Sequence, residues 1–104
     1  MAKVTVKNSV TENKNKCIEF EFDGSGGSFM DKEEVQSIKS CIPEEFHGDI
    51  FRIAAGRGFK IQFTSPEDAE FFKAGLYRND IINPRQAGQI DRKIKGLVAN
   101  KNLR

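Results

Sequence analysis

Three side chains of this 104-residue sequence are of the types that bind metal ions or act as nucleophiles: Cys17, Cys41 and His47. They are far apart along the chain and lack the close, paired spacing of zinc ligands. Cys41 also falls at the predicted end of a helix, where the helix dipole disfavours a thiolate and so weakens a nucleophile. We therefore predict two ordinary cysteines and a surface histidine, with no catalytic residue and no metal site.

Carboxylates cluster around the histidine, since Glu44, Glu45 and Asp49 surround His47 in a predicted loop. Such a loop could bind a cation or a basic partner, although acidic loops are commonly only solvated. The spacing forces no two carboxylates together, so it gives no basis for general acid–base catalysis. We predict that the protein is not an enzyme.

A glycine-rich stretch, GSGGS at 24–28, lies between a predicted strand and a predicted helix, where phosphate-binding loops occur. Phe29 stands where the dinucleotide fingerprint needs its third glycine, and no Lys-Ser or Lys-Thr pair follows as in a P-loop. The next helix opens with Asp31, Glu33 and Glu34, which would repel a phosphate. The stretch favours a flexible connector, and we predict no cofactor and no small-molecule substrate.

The elements that position these residues follow from periodicity. Segments 3–8 and 16–23 alternate apolar and polar residues, which predicts an N-terminal β-hairpin with Ile18, Phe20 and Phe22 on its inner face. A second hairpin spans 50–63. The whole chain predicts a single α+β domain, residues 1–104, in the order β-β-α-β-β-α-α. Its architecture would be an antiparallel sheet of about four strands with helices packed on one face.

The register of the second hairpin is predicted from its apolar pattern. A three-residue loop at 56–58 would place the apolar side chains opposite one another in three pairs: Phe51 with Phe63, Ile53 with Ile61, and Ala55 with Phe59. A slip of one residue would bury Lys60 and Gln62 instead. In the predicted register Arg52, Lys60 and Gln62 lie on the open face of the sheet, together with Glu19 and Glu21.

Three helices are predicted from caps and apolar stripes. The first begins after Asp31, ends before Pro43, and has a stripe of Val35, Ile38 and Ile42. The second is capped by Ser65 and has a stripe of Ala69, Phe72 and Leu76. The third follows the capping residue Asn83, and its stripe is Ala87, Ile90, Ile94, Leu97 and Val98.

The stretch RGFKIQFT, residues 57–64, resembles in its first three places the octapeptide of the RNA-recognition-motif family. In that family outward-facing aromatic side chains stack on RNA bases, while the residues between them fill the core. Here the residues between are Lys60, Gln62 and Thr64, which cannot fill a core. We therefore expect Phe59 and Phe63 to face inward, which leaves no stacking platform on this strand.

Charge is unevenly distributed although the net charge is only +2. Residues 81–104 carry six basic groups and one acidic group, whereas residues 30–50 carry two basic and six acidic groups. Four cations of the last helix lie opposite its apolar stripe: Arg85, Arg92, Lys93 and Lys95. The predicted binding residues are these four and Lys101, together with Arg52 and Lys60 of the sheet and Arg57 at the hairpin tip. Whether all of them form one surface depends on the strand order. This surface could contact phosphates, and the alternative is that it only keeps the protein soluble.

Two aromatic residues of the second helix, Phe71 and Tyr77, are candidate protein contacts. Phe71 cannot share the buried stripe with Phe72, so either the last helix covers it, which we favour, or it is exposed for a partner. No segment is apolar enough for a bilayer or a signal peptide, so we expect a cytoplasmic protein that does not bind membranes.

The sequence therefore predicts a small non-catalytic binding or regulatory protein. Its first candidate partner is nucleic acid or a nucleoprotein complex, contacted through the basic C-terminal helix. The alternative is a protein-binding inhibitor or adaptor that does not touch nucleic acid and that uses the acidic loop, Phe71 or an open sheet edge.

Overall fold

The structure, a computed structural model, describes residues 3–23, 32–52 and 58–102, with side chains for 4–23, 32–51 and 58–97. The elements follow in the predicted order: β1 (Lys3–Val10), β2 (Lys16–Asp23), α1 (Lys32–Lys39), β3 (Gly48–Arg52), β4 (Gly58–Phe63), α2 (Pro66–Arg78) and α3 (Pro84–Asn102). The predicted α+β class and the four-stranded antiparallel sheet are confirmed.

The strand order of the sheet is β1-β2-β4-β3, so the two central strands come from different hairpins. Phe20 of β2 lies opposite Val6 of β1 on one side and opposite Ile61 of β4 on the other. Both central strands alternate apolar and polar residues, and Phe20, Phe22, Ile61 and Phe63 are fully buried. As predicted, the N-terminal hairpin turns its apolar face inward, where the aromatic rings of the central strands are buried.

The core is built around stacked and edge-to-face phenylalanines. Phe72 of α2 lies with its ring centroid 4.9 Å from that of Phe20, 5.1 Å from that of Phe63 and 5.9 Å from that of Phe22. Such pairs add about 0.5–1.5 kcal/mol each beyond the area that they bury. Because Phe59 and Phe63 point into this cluster, the predicted inward orientation of β4 is confirmed, and their rings are not available for base stacking.

The helices α2 and α3 begin at the predicted caps. The Ser65 hydroxyl accepts a hydrogen bond from the Asp68 backbone N–H at 3.4 Å. At the start of α3 the Asn83 backbone N–H donates to Gln86 Oε1 at 2.9 Å, and the Gln86 N–H donates to Asn83 Oδ1 at 2.8 Å. This reciprocal arrangement satisfies two backbone donors that the first helical turn leaves unpaired.

Buried stripes then hold these helices to the sheet. The predicted stripe residues Ala69, Phe72 and Leu76 of α2 are fully buried. In α3 the predicted stripe residues Ile90, Ile94 and Leu97 are also buried. Ile38 of α1 is buried in the same cluster, with Val35 and Ile42 packed against it. The predicted cap Asp31, the GSGGS segment and the side chain of Val98 lie outside the described residues.

The predicted register of the second hairpin is wrong. Phe51 pairs with Lys60, and Ile50 takes the place opposite Ile61 that was predicted for Ile53. The partner of Phe63 is Gly48, which has no side chain, and the ring of Phe46 covers Phe63 instead at a centroid distance of 5.5 Å. Since β4 obtains its burial from β2, from α2 and from Phe46, the apolar pattern of β3 does not decide the register. Ile53 and Ala55 lie outside the described residues.

Candidate functional site

Helix α3 presents its cations to solvent. Its apolar stripe faces the sheet, so Arg85, Arg92 and Lys95 on the opposite side are exposed, and Lys93 is half-buried at the margin. Arg85 and Arg92 are seven residues apart, which places them almost in line and about 10 Å apart along the helix axis. We call these four residues the α3 cationic face.

The one acidic side chain of α3 in the described part, Asp91, does not oppose this charge. It turns towards α2, where Lys73 Nζ lies 2.6 Å from Asp91 Oδ1 and 2.6 Å from Glu70 Oε1. Burial lowers the pKa of Lys73, but its hydrogen bonds to Asp91 and Glu70 outweigh that effect and raise the pKa. Lys73 therefore stays charged and offsets part of the charge of Asp91, which turns away from the outward side of α3. On that side the charged residues over 84–97 are all basic.

Lys60 does not belong to this face. It alternates with the buried residues Phe59 and Ile61, so it lies on the sheet face opposite the helices. Its Nζ is 3.8 Å from Glu21 Oε1, an ion pair that offsets its charge. The predicted surface is thus divided between two sides of the molecule, because the sheet separates Lys60 from α3.

The open face of the sheet has its own polar network around Glu19. This carboxylate is buried, with Lys7 Nζ at 3.4 Å and the donor Gln62 Nε2 at 3.0 Å. Burial raises the pKa of Glu19, but the hydrogen bond from Gln62 and the charges of Lys7 and Lys60 together lower it further than burial raises it. The carboxylate is therefore held ionised, and the open face pairs its charges internally.

Three further predicted cations cannot be placed as binding residues. Arg52 pairs with Phe59 in the backbone register, so its position belongs with the helix-covered face rather than with Lys60 as predicted. Its side chain lies outside the described residues, as do Arg57 and the side chain of Lys101.

The two candidate aromatic contacts are both exposed. Phe71 is 55% exposed, so our preferred prediction that α3 covers it is wrong, and Tyr77 is 48% exposed. The salt bridge between Lys73 and Asp91 shows which side of α2 meets α3, and Phe71 lies about 160° from Lys73 around that helix. Phe71 and Tyr77 are themselves about 120° apart, so they do not form one patch.

The cysteines and the histidine are tied into the fold. Both cysteines are buried, and burial together with the nearby Glu19 charge raises the pKa of the Cys17 thiol. The backbone N–H of His47 donates to Asp68 Oδ2 at 2.6 Å, and its ring Nδ1 lies 3.3 Å from the same oxygen. Within the described residues, no three His, Cys, Asp or Glu side chains are arranged so that they could hold a metal ion.

One feature that sequence analysis missed is a groove between β1 and α3, with a volume of about 400 Å³. We call it the β1–α3 groove, and its lining residues are Val4, Val6, Asn8, Gln86, Gln89, Ile90, Arg92 and Lys93. Two of them, Arg92 and Lys93, belong to the predicted binding surface. The alternation of Val4, Val6 and Asn8 was visible in the sequence, but the position of β1 at the sheet edge was not.

Comparison with protein-family models, with curated protein sequences and with solved structures gives no match to this chain. Among the described residues, none of the three helices has the length and apolar character needed to cross a bilayer. Function is therefore inferred from the surfaces of this chain alone.

Proposed function

We propose that this protein is a non-catalytic binding protein that contacts the phosphate backbone of nucleic acid through the α3 cationic face. The observation that carries the proposal is the position of Asp91. Its charge is offset by Lys73 at 2.6 Å, so the solvent side of α3 carries Arg85, Arg92 and Lys95 without a competing carboxylate in the described residues. A helix with exposed cations along two turns attracts a polyanion.

The residue types suit phosphates better than bases. Arginine can hold a phosphate with two parallel hydrogen bonds, and Arg85 and Arg92 project from the same side of α3. The described part of α3 has no aromatic side chain on which a base could stack. We therefore expect binding that depends on charge and duplex shape rather than on base sequence. Such a ligand suits a regulator or accessory factor of a nucleoprotein complex in the cytoplasm.

Titration of a short DNA duplex with the protein, at several salt concentrations, tests the proposal. If Arg85, Arg92 and Lys95 each neutralise one phosphate, the plot of log K against log salt has a slope of about −2.7. The affinity then falls about forty-fold between about 50 and about 200 mM salt. A slope near zero would overturn the proposal.

The double variant Arg85→Glu/Lys95→Glu identifies the surface. Both residues are exposed, so the fold should survive, and we expect the affinity for the duplex to fall by more than about tenfold. The matched control is Lys60→Glu, because Lys60 lies on the other side of the sheet. This variant should bind the duplex about as tightly as the wild-type protein. Undiminished binding by the double variant would reject the α3 cationic face.

A second candidate function, that of an adaptor which binds another protein, is favoured by a different observation. The β1–α3 groove adjoins an edge of the sheet beside which the described part of the chain places no further strand, and it combines aliphatic side chains with Arg92 and Lys93, two cations that it shares with the α3 cationic face. The other features predicted for this function, the acidic loop at 44–49 and Phe71, do not adjoin the groove.

A further inference from the structure

We propose that the β1–α3 groove binds an extended peptide segment of another protein, which pairs with the free edge of β1 and points alternate aliphatic and acidic side chains towards α3. This inference goes beyond nucleic-acid binding, because it depends on pairing with the backbone of β1 and not on Arg85 and Lys95, although Arg92 and Lys93 belong both to the groove and to the α3 cationic face. It can therefore hold or fail independently.

The first argument is the free edge. β1 pairs with β2 over all eight of its residues, and no strand lies on its other side in the described part of the chain. An edge strand of this length presents a row of unpaired backbone N–H and C=O groups. An extended peptide can satisfy these groups by adding a fifth strand. The edge also carries no acidic residue, since the charged residues of β1 are Lys3 and Lys7.

The second argument is incomplete burial beside that edge. Val4 and Val6 face the helices, opposite Phe22 and Phe20, yet both are only half-buried whereas the two phenylalanines are fully buried. α3 lies over β1 and β2 and contacts β1 directly at Asn8, but it leaves Val4 and Val6 only partly covered. Alternate side chains of an added strand lie about 7 Å apart, as Val4 and Val6 do, so aliphatic residues of a peptide could complete this burial.

The third argument is charge. The wall of the groove on α3 contributes Arg92 and Lys93 beside the amides of Gln86 and Gln89, and no described lining residue is acidic. Carboxylates of the peptide would meet these cations where the aliphatic floor reduces competition from water. Nucleic acid suits the groove less well, because its described lining has no aromatic side chain for an unpaired base.

One end of the groove is closed by a direct contact. Asn8 Nδ2 donates to the backbone carbonyl of Lys93 at 3.0 Å, which fixes the distance between β1 and α3 at that point. The peptide would therefore lie alongside Val4 and Val6 and stop near Asn8. This arrangement gives the site a defined length and orientation.

Fluorescence anisotropy with a synthetic peptide tests the proposal on the full chain. The probe is Thr-Val-Thr-Glu-Thr-Val-Thr, in which the valines and the glutamate share one face of an extended strand, and its two controls have lysine in place of glutamate or N-methyl groups on alternate amides. We expect either control to bind at least about tenfold more weakly, because lysine repels Arg92 and Lys93 and N-methylation removes the edge hydrogen bonds. Equal binding of the N-methylated peptide, or no binding of the probe, would overturn the proposal.

Variants then locate the site. Lys93→Glu reverses the charge on the groove wall, and we expect it to weaken the peptide about tenfold, whereas Arg85→Glu, away from the groove, leaves it unchanged. Val6→Lys blocks the floor, and a circular dichroism spectrum like that of the wild type shows that this variant is folded. Unchanged peptide binding by both groove variants would reject the site.

Two measurements separate this proposal from nucleic-acid binding and from self-association of the chain. The variant Arg85→Glu/Lys95→Glu should lose the DNA duplex but keep the peptide, so failure of one proposal is distinguishable from failure of the other. Sedimentation of the wild-type protein should give a monomer. An oligomer that Val6→Lys dissociates would mean that a second copy of the chain occupies the groove, which would overturn the peptide proposal.

Discussion

The two edge strands of the sheet, β1 and β3, differ in length, in charge and in the groove that lies beside each of them. β1 has eight residues, no acidic side chain, and the groove against α3 on its helix side. β3 has five residues and exposes Ile50 and Phe51. A second groove of about 400 Å³ lies on its open-face side and contains Glu12 and Asp49 without a described lysine or arginine. The molecule therefore has a groove with two cations beside one edge of the sheet and a groove with two carboxylates beside the other.

The difference shows how each edge is fixed in place. β1 is held by side chains on both faces, since Val4 and Val6 pack against the core and Lys7 pairs with Glu19. β3 is held mainly by its backbone: Gly48 adopts a φ of 155° and approaches β4 closely, and Thr64 N–H donates to the His47 carbonyl at 3.0 Å. An edge held by backbone contacts tolerates changes in its side chains but not at its glycine.

The largest contrast that we expect is between Phe63 and Phe51. Phe63→Ala should cost about 3–5 kcal/mol in the free energy of unfolding, because its fully buried ring contacts three others. Phe51→Ala should cost about 1 kcal/mol or less, since this ring is 39% exposed on the edge strand. Urea denaturation measures both. Similar costs would support the register predicted from the sequence, in which the two rings face each other.

The next effect is expected at Gly48. A Cβ atom placed there would lie 1.7 Å from the Gln62 carbonyl oxygen, in a backbone conformation that side chains rarely adopt. Gly48→Ala should therefore destabilise the protein by about 2 kcal/mol and loosen β3. Gly88→Ala is the matched control, because no described atom lies within 4 Å of its added Cβ, and it should stabilise α3 by up to about 1 kcal/mol. A neutral Gly48→Ala would show that β3 is not held as described.

The smallest effect concerns how β1 responds to acid. Because the folded-state pKa of Glu19 is lowered, its contribution to stability is present at neutral pH and is lost as the pH falls through that lowered pKa. Glu19→Gln should cost about 1 kcal/mol at pH 7 and progressively less as the pH falls and the carboxylate is protonated. Urea midpoints at neutral and at successively lower pH measure the difference. A cost that does not change with pH would mean that the charge of Glu19 does not hold the edge.

The elements that could be predicted are those with strong local signals. Ser65 before Pro66, and Asn83 with Gln86, identify helix starts because each cap satisfies backbone groups within one turn. The inner residues of β2 and β4 follow from period-two alternation, since burial of Phe20 and Ile61 is unavoidable in any sheet with one covered face. These signals need no knowledge of neighbouring elements.

The candidate sites were predictable only in part. The cations of α3 follow from the helix wheel, but the sequence did not show that Lys73 of α2 pairs with Asp91. The sequence leaves open whether Lys60 joins the α3 cations in one surface, and the structure places them on opposite sides of the sheet. Phe71 was expected under α3, whereas the side on which the two helices meet leaves it exposed.

The amino-acid sequence by itself determined which residues form strands and helices and which of their faces are apolar, because hydrogen bonding along the backbone and burial of alternate or stripe residues act over a few positions. The tertiary structure decided the strand order, the register of β3 and the groove beside β1. These depend on which distant side chain covers a given ring, as Phe46 covers Phe63, and on how far α3 reaches across the sheet. Because such contacts compete with one another, only their total free energy selects one arrangement.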